Sequence, residues 1–584
     1  MTEFRVWAPN AEQVELVLGD ERRAERAERH AMARGERGWW TVELPFDARG
    51  RDYAYALDGS DPLPDPRSPW QPHGVHGFSR VVSHADFEWH DAGFQAPPLA
   101  SGVIYELHVG TFTPEGTFDS AIARLDHVRA LGATHVEIMP VAAFPGSHGW
   151  GYDGVDLYAP YEPYGGPAAM KRFVDACHAR GLAVLLDVVY NHFGPAGNYV
   201  ERFGPYFTDA YRTPWGRAVN YDDAGSDEVR RFVIDNALMW LRDYHVDGLR
   251  LDAVHAIHDE SARHVLEEMA EEVHALGARL GRHLVLIAES DLNDPRLLRA
   301  REAGGYGLDA QWSDDFHHAL HAVLTGEQHG YYADFGPLAD LARAVERAYV
   351  YDGRYSPHRG RRHGRAADGL DGERFVVFAQ NHDQVGNRAA GERLAHLVSE
   401  GRARIAAALV LASPYVPLLF QGEEWGATAP FQYFTAHEEK ELADAVREGR
   451  RKEFAAFGWG DDVPDPQAKE TFLRSKLDWS ELEREPHASL LAWHRELIRL
   501  RRSVPDLADP RRARTSARFD EEARWFVLAR GDVVIACNLA QARQRVPLPA
   551  GPARVVLLAS DGTQVDGASV TLEPDGVAVL APAR

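Results

Sequence analysis

Residues 226–255 read SDEVRRFVIDNALMWLRDYHVDGLRLDAVH, a helix pattern followed at once by a strand pattern. Ser226 can serve as an N-cap, and the two acidic residues after it suit the first turn of a helix. The run GLRLDAV at 248–254 is mostly apolar on both faces, as a buried parallel strand must be. The segment therefore predicts one helix–strand unit of a parallel sheet. The apolar stripe of the helix, which we expect over 226–245, comprises Val229, Val233, Ala237, Trp240, Leu241 and Tyr244.

The same alternation of strand and helix continues from about residue 101 to about residue 500. Eight buried strands separated by helices predict a closed (β/α)8 TIM barrel, so the fold class is α/β. A highly charged stretch over 435–480 predicts a solvated helical excursion, and a last helix is expected near 486–502. The predicted strands lie at 103–108, 134–139, 182–189, 248–254, 284–288, 308–312, 375–380 and about 415–420.

The sequence before and after the predicted barrel has the pattern of β-strands. Short runs such as FRVW at 4–7 and VELVL at 14–18 alternate apolar and polar residues between Gly, Asp and Pro clusters, and the pattern returns after about residue 515. These patterns predict a β-sandwich on each side of the barrel. We place the N-terminal sandwich at 1–95, the catalytic barrel at 96–505 and the C-terminal β-domain at 506–584.

The charge balance narrows the classes of partner. The 584 residues include 64 Lys and Arg against 88 Asp and Glu, a formal net charge of −24. An acidic surface repels phosphate backbones and anionic lipids, so nucleic-acid and membrane roles are disfavoured, whereas a neutral sugar is compatible with it. The sequence leaves the oligomeric state open.

The two cysteines, Cys177 and Cys537, lie far apart and without metal-ligand spacing, which fits a reducing compartment. The N-terminus lacks the pattern of a signal peptide, and no apolar run is long enough to span a membrane. We therefore expect a cytoplasmic protein.

Four of the predicted strands end in polar clusters. In a barrel, the carboxyl ends of the strands meet at one face, where barrel enzymes carry their active sites. Several carboxylates crowded there raise each other's pKa, a cost that a protein tolerates when the groups are used. The clusters are DVVYNH at 187–192, GLRLDAVH at 248–255, IAES at 287–290 and AQNHDQ at 379–384.

Cleavage of a glycosidic bond with retention uses such groups. It needs one ionised carboxylate as nucleophile and one protonated carboxyl as acid, about 5–5.5 Å apart. Asp252 shares a strand face with Arg250, whose guanidinium would keep it ionised and oriented. Glu289 follows an apolar run, where burial and a neighbouring anion would raise its pKa. Asp383 could stabilise the oxocarbenium charge, while Asp187 is expected to be a buried carboxylate that fixes its neighbours.

These four clusters resemble the four conserved regions of the α-amylase superfamily of glycoside hydrolases, and the resemblance covers about 101–500. It implies that Asp252 is the nucleophile, Glu289 the acid/base and Asp383 the stabiliser of the transition state. The N-terminal sandwich resembles the carbohydrate-binding-like module of branching and debranching members. The resemblance implies sugar-binding roles for His192, Arg250 and His382, and an aromatic platform at Tyr152 in GWGYD (149–153).

Five longer stretches of the sequence resemble the trehalose-releasing hydrolases of this superfamily. That resemblance implies hydrolysis of the α-1,4 bond next to the terminal trehalose of the oligosaccharide maltooligosyltrehalose. The alternative is a 1,4-α-glucan branching enzyme, but those enzymes usually carry Glu where Gln384 stands. Position alone suggests Trp215, His255, Gln384 and Glu424 as trehalose-side contacts. The alternatives are a packed loop aromatic for Trp215, a histidine at a helix start for His255 and a salt-bridge partner for Glu424. The stretches that carry this resemblance are YELHVGTF (105–112), TPWGRAVNY (213–221), QNHDQVGNR (380–388), FQGEEWG (420–426) and RSKLDW (474–479).

The residues at the strand ends argue against two other classes of protein. A non-catalytic barrel should lack one of the three carboxylates, and all three are present. A metallohydrolase could use His192 and His382, but a neighbouring Arg250 opposes a bound cation. Calcium-dependent amylases often have Lys-His after the nucleophile motif, whereas this chain has Val254-His255. The sequence therefore predicts neither a metal nor a cofactor.

Overall fold

The computed structural model describes residues 1–19, 27–456 and 463–583. Its first seven strands form two antiparallel sheets, with the orders β1-β5-β4 and β3-β2-β6-β7. Alternate residues such as Phe4, Val6 and Leu16 are buried between them, which explains the alternating pattern of the sequence. The strands are β1 (Thr2–Trp7), β2 (Val14–Leu18), β3 (Glu28–Ala31), β4 (Ala33–Arg34), β5 (Trp39–Leu44), β6 (Asp52–Leu57) and β7 (Ser79–Arg80).

Eight parallel strands then close into a barrel in the order β12-β15-β16-β17-β20-β21-β8-β9, which confirms the predicted fold. Short antiparallel hairpins are inserted between some of them. The strands of this part are β8 (Ile104–Leu107), β9 (His135–Ile138), β10 (Ala142–Ala143), β11 (Asp156–Pro160), β12 (Ala183–Val188), β13 (Phe207–Thr213), β14 (Gly216–Val219), β15 (Gly248–Leu251), β16 (Val285–Ala288), β17 (Ala310–Trp312), β18 (Asp352–Ser356), β19 (Arg361–Gly364), β20 (Phe375–Phe378) and β21 (Val416–Phe420).

Helices surround the barrel and fill its loops. The charged stretch holds α13 and α14, as its composition predicted, although part of it lies outside the described residues. The helices are α1 (Val109–Phe112), α2 (Phe118–Ile122), α3 (Leu125–Leu131), α4 (Gly166–His178), α5 (Val200–Phe203), α6 (Ser226–Asp243), α7 (Val265–Leu280), α8 (Asp314–Thr325), α9 (Leu338–Arg347), α10 (His382–Gly386), α11 (Leu394–Leu397), α12 (Glu400–Leu411), α13 (Lys440–Ala456), α14 (Lys469–Arg474), α15 (His487–Ser503) and α16 (Pro505–Ala508).

Helix α6 and strand β15 form the predicted helix–strand unit. The whole predicted stripe is buried, including Val229, Val233 and Trp240. The capping role expected for Ser226 is wrong, because Ser226 is the first helical residue and Gly225, at φ 83°, is the N-cap without a side-chain bond. Gly225 accepts this left-handed conformation at little cost, so the chain enters the helix through a turn and not through a serine cap.

The C-terminal part holds a five-stranded sheet, β22-β23-β24-β29-β26, and a three-stranded sheet, β25-β28-β27, and a separate cluster of buried apolar residues lies among these strands. Its strands confirm the predicted second β-sandwich, whereas the boundaries proposed after residues 95 and 505 stay predictions. The strands are β22 (Thr515–Asp520), β23 (Trp525–Arg530), β24 (Val533–Asn538), β25 (Gln544–Pro547), β26 (Arg554–Ala559), β27 (Gln564–Asp566), β28 (Ser569–Leu572) and β29 (Val577–Pro582).

The segment that connects the N-terminal strands to β8 packs on the barrel helices. The carboxylate of Asp91 contacts Nδ1 of both His178 and His245, each at 2.8 Å. The ring of Trp89 stacks on His245 at 3.8 Å, and that of Phe94 stacks on His178 at 4.0 Å. Ion pairs and stacking therefore fix this connection to the barrel. Within the described ranges, no helix is both long and apolar enough to cross a lipid bilayer.

Candidate active site

Asp252 lies at the end of β15 between two donors. Its Oδ1 accepts a hydrogen bond from Nη1 of Arg250 at 2.7 Å, and its Oδ2 accepts one from Nδ2 of Asn191 at 2.8 Å. Asp252 is 9% exposed, whereas Arg250 is completely buried. A charged and a neutral donor, one on each oxygen, fix the orientation of the carboxylate. Asp252 is thus placed as an oriented anion at the open end of the barrel.

Glu289 follows the neighbouring strand, β16, and has fewer donors. One of its oxygens accepts the backbone N–H of Ala253, and the same oxygen lies 3.6 Å from Nη2 of Arg250. Ala253 has a left-handed backbone, with φ 39°, which turns the chain out of β15. Burial raises the pKa of Glu289, and repulsion from Asp252 and Asp383 adds to this against the opposing charge of Arg250. A raised pKa suits a group that must donate a proton near neutral pH.

Asp383 is the most open of the three predicted carboxyls. It lies in the first turn of α10, with a side chain that is 42% exposed and an Oδ1 that is 3.6 Å from Nε2 of His382. Asn381 caps this short helix by accepting the backbone N–H of Asp383 at 2.9 Å and that of Gln384 at 3.2 Å. The cap explains why the chain turns into a helix directly after β20 and presents Asp383 at the barrel mouth.

Tyr152 links two buried groups below this mouth. Its hydroxyl donates to Oδ2 of Asp187 at 2.6 Å and lies 2.7 Å from Nε2 of His382. Asp187 also accepts two hydrogen bonds from Nη1 of Arg250, so it is the buried carboxylate that its sequence context predicted. The ring of Tyr152 stacks on that of His382, with centroids 5.2 Å apart. The predicted platform is therefore held rigidly in place.

An open aromatic face lies next to His192. Nε2 of His192 is 3.1 Å from the carbonyl oxygen of Tyr152, which holds the ring at the mouth. The indole of Trp215, from the β13–β14 hairpin, stacks on this ring with centroids 4.5 Å apart and planes 4° apart. Trp215 remains 48% exposed. Large exposed aromatic faces are suited to stacking on sugar rings.

The other trehalose-side candidates differ in access. His255 is exposed in the turn after β15. Gln384 is half-buried, and within the described chain its Oε1 is shielded from solvent and has no hydrogen-bond partner. Glu424 is fully buried and is bound by the hydroxyl of Tyr105 at 3.0 Å and by Nε2 of His127 at 2.8 Å. The sugar-contacting role suggested for Glu424 is wrong, because its short 3-10 turn directs it into the protein and not into the mouth.

Sequence reasoning did not single out three further groups of the site. Asn191 donates to Asp252, and Glu106 contacts the ring of His382. Asp314, which opens α8 directly after β17, is the third; burial and the nearby Glu289 raise its pKa well above the usual range. The signal that could have identified Glu106 is a charged residue within the apolar run of β8. The signal for Asp314 is a carboxyl that closely follows a predicted strand.

Taken together, the mouth offers an oriented anion, a buried carboxyl with a raised pKa and an open third carboxyl. The first two lie on adjacent strands and share contacts with Arg250. This is the set of groups that retaining cleavage of a glycosidic bond requires.

The sequence matches three described families. Residues 83–213 match "Alpha amylase, catalytic domain" and residues 1–71 match "Carbohydrate-binding module 48 (Isoamylase N-terminal domain)". Residues 510–579 match a domain of unknown function, DUF3459. The matches therefore fall on the N-terminal sandwich, on the first part of the barrel and on the C-terminal sheets.

Several curated proteins and a solved structure are similar to this chain over almost its whole length. A malto-oligosyltrehalose trehalohydrolase of Arthrobacter ramosus is 53% identical, over 99% of each chain, and that of Rhizobium sp. (strain M-11) is 50% identical over 99% of this chain and 97% of its own. A 1.4 Å crystal structure from Salmonella typhimurium, described provisionally as an alpha amylase, is 40% identical with a TM-score of 0.90, over 99% of this chain and 97% of its own. A 1,4-alpha-glucan branching enzyme of Nocardia farcinica is 33% identical over 54% of this chain and 46% of its own.

Proposed function

Because the chain belongs to the malto-oligosyltrehalose trehalohydrolase family, within the α-amylase superfamily, we propose that it hydrolyses the α-1,4 bond next to the terminal trehalose of maltooligosyltrehalose and releases trehalose. The observation that carries the mechanism is the unequal environment of two neighbouring carboxyls. The two side chains are similarly enclosed, but Asp252 has two side-chain donors, whereas Glu289 has one backbone donor and a raised pKa. Such a contrast divides a pair of carboxyls into nucleophile and acid.

In the proposed reaction, Glu289 gives its proton to the bridging oxygen while Asp252 attacks the anomeric carbon. The trehalose unit leaves, and the glucan stays bound to Asp252 as a covalent ester. Glu289, now ionised, takes a proton from a water molecule that attacks the same carbon and releases the glucan. Asp383, exposed at the mouth, supports the positive charge that develops on the ring.

The remaining contacts bind and orient the sugar. We assign the ring that is attacked to the mouth beside Tyr152 and His192, with Arg250 and His382 buried beneath it, where they hold the nucleophile and the Tyr152 hydroxyl in place. Trp215 is proposed to stack on a neighbouring ring, and His255 and Gln384 to bind hydroxyls on the trehalose side.

A branching enzyme would use the same three carboxyls, so the triad does not separate the two activities. The relatives favour hydrolysis, since the trehalohydrolases match almost the whole chain and the branching enzyme matches about half of it. Incubation with maltooligosyltrehalose and, separately, with amylose decides between them by chromatography of the products. We expect trehalose from the first and no branch points in the second. Branched amylose without any trehalose would overturn the proposal.

We further propose that the reaction takes place in the cytoplasm. The described chain holds Cys177 and Cys537 as free, buried thiols, as expected for a reducing compartment. Fractionation of cells that produce the protein, with antibody detection, tests this location.

A further inference from the structure

A buried carboxylate lies directly behind His382. Glu106 of β8 and His382 of α10 are each 1% exposed. One oxygen of Glu106 contacts Nδ1 of the His382 ring, and the other accepts the backbone N–H of the same residue at 3.1 Å. Glu106 therefore fixes both the ring and the backbone of His382.

The hydrogen bonds on the other side of the ring indicate its protonation. Burial raises the pKa of Asp187 to about 7 against the opposing charge of Arg250, whose Nη1 binds both of its oxygens; when Asp187 is ionised it can only accept. The hydroxyl of Tyr152 must then donate to Asp187, so the same oxygen accepts from Nε2 of His382. With Nδ1 facing the Glu106 carboxylate, both ring nitrogens carry a proton.

The surroundings balance the charge of such an imidazolium. Burial alone would lower the pKa of His382, but Glu106 and Asp383 raise it to about 9. His108 adds no opposing charge, because burial lowers the pKa of His108 to about 3. The titratable and charged groups that face His382 from the elements around it are otherwise Glu106, Glu137, Tyr152, Asp187, Arg250 and Asp383.

We propose that Glu106 is a positioning residue that keeps His382 doubly protonated and, through Tyr152 and Asp187, fixes Arg250 against the nucleophile Asp252. The chain of contacts is continuous: Glu106 to His382, His382 to Tyr152, Tyr152 to Asp187, Asp187 to Arg250 and Arg250 to Asp252. The predicted effect on catalysis rests on the proposed function, whereas the predicted protonation of His382 does not.

The adjacent strand supplies a matched control. Glu137 of β9 pairs in register with Glu106 and is equally buried. Among the described residues, neither carboxyl oxygen of Glu137 has a hydrogen-bond partner. Burial and the neighbouring Glu106 raise the pKa of Glu137 well above its usual range, so this side chain is a neutral acid. A Glu137→Gln change therefore replaces one neutral group by another of the same shape.

The first test needs no substrate. Ring nitrogens of 15N-labelled histidine are observed by NMR at pH 7, and His382 is assigned from the signal that disappears in His382→Gln. We expect two protonated ring nitrogens in the unmodified protein and in Glu137→Gln. In Glu106→Gln one nitrogen should lose its proton. A neutral His382 ring in the unmodified protein would refute the proposal, whether or not Glu106→Gln folds and whatever the substrate is.

The second test is kinetic. On maltooligosyltrehalose at pH 7, Glu106→Gln should lower kcat about 10- to 100-fold, the size of one lost charged hydrogen bond, with little change in KM. The alkaline limb of its kcat profile should move to lower pH, because His382 then loses its proton earlier. Glu106→Asp should restore part of kcat. If Glu106→Gln matched Glu137→Gln in kcat and in pH profile, the positioning role would be wrong.

Discussion

Nη1 of Arg250 lies 2.7 Å from Oδ1 of Asp252 while the guanidinium is completely buried. The same nitrogen also binds both oxygens of Asp187, and the guanidinium carbon lies 4.3 Å above the ring of Trp312. Arg250 is thus enclosed by two carboxylates and an aromatic face. The orientation of the proposed nucleophile therefore depends on this buried ion network together with the hydrogen bond from Asn191.

Removing Arg250 should destabilise the fold as well as stop catalysis. Arg250→Met leaves Asp187 buried without its cation, so we expect the free energy of unfolding to fall by about 3–5 kcal/mol. Adding Asp187→Asn removes the buried carboxyl that has lost its partner and should recover part of that loss. Urea denaturation followed by circular dichroism measures both. A double variant no more stable than Arg250→Met would show that the ion network does not act in this way.

A substrate whose leaving group needs no proton distinguishes the acid Glu289 from the nucleophile Asp252. Glu289→Gln should lower kcat on maltooligosyltrehalose by about 10²- to 10⁴-fold, because no proton reaches the bridging oxygen. It should still form the covalent ester from an α-maltooligosyl fluoride, since fluoride leaves without a proton. Asp252→Asn should lose both reactions. Mass spectrometry of the intact protein detects the ester, and an ester formed equally by Asp252→Asn would contradict the assignment of the nucleophile.

Trp215 should contribute to binding through its flat exposed face. Trp215→Ala removes an aromatic stack worth about 1 kcal/mol, so kcat/KM for maltooligosyltrehalose should fall roughly fivefold. Trp215→Phe keeps an aromatic face and should lose much less. Initial rates over a range of substrate concentrations give both values. Equal losses in the two variants would argue against stacking.

The connection at Asp91 should make stability depend on pH. Ionised partners raise the pKa of His178, so its contribution is complete below the ordinary His pKa and is lost as pH rises through the raised value. The contacts of Asp91 lower the pKa of Asp91, so its contribution is lost only in acid. Asp91→Asn should therefore lower the free energy of unfolding near pH 6 by about 1.5–3 kcal/mol and by less at pH 9.

A surface ion pair is the control for that measurement. Asp119 and Arg172 form a bidentate pair in which both side chains are about half exposed. Asp119→Asn should change the unfolding free energy by about 1 kcal/mol or less. Chemical denaturation at the two pH values tests both variants. An Asp91→Asn effect that grew toward pH 9 would contradict the proposed role of His178.

The barrel could be predicted from the sequence because its strands are buried on both faces. All eight runs, such as the one that became β12 (Ala183–Val188), are mostly apolar because each strand is packed on both faces. Helix α6 was predictable for the same reason, through its buried stripe. The N-cap was not, since Gly225 adopts a left-handed conformation that no local pattern required.

Contacts between distant segments were the part that the sequence concealed. The stacking of Trp215 on His192 and the pairing of Glu106 with His382, 276 residues apart, depend on how separate strands and hairpins meet. Of the two roles that the position of Glu424 suggested, the salt-bridge partner is the one observed, because its partners Tyr105 and His127 lie inside the protein. Motif position predicts which strand end a residue follows, but not which way its side chain points.

The account as a whole is tested most directly by 1H NMR of the first turnovers on maltotriosyltrehalose. Attack by Asp252 followed by attack of water inverts the anomeric carbon twice, so the glucan should appear first as its α-anomer together with an equal amount of trehalose. Mutarotation to the β-anomer should follow later. A glucan that appears first as the β-anomer, or that forms without trehalose, would contradict the central claim.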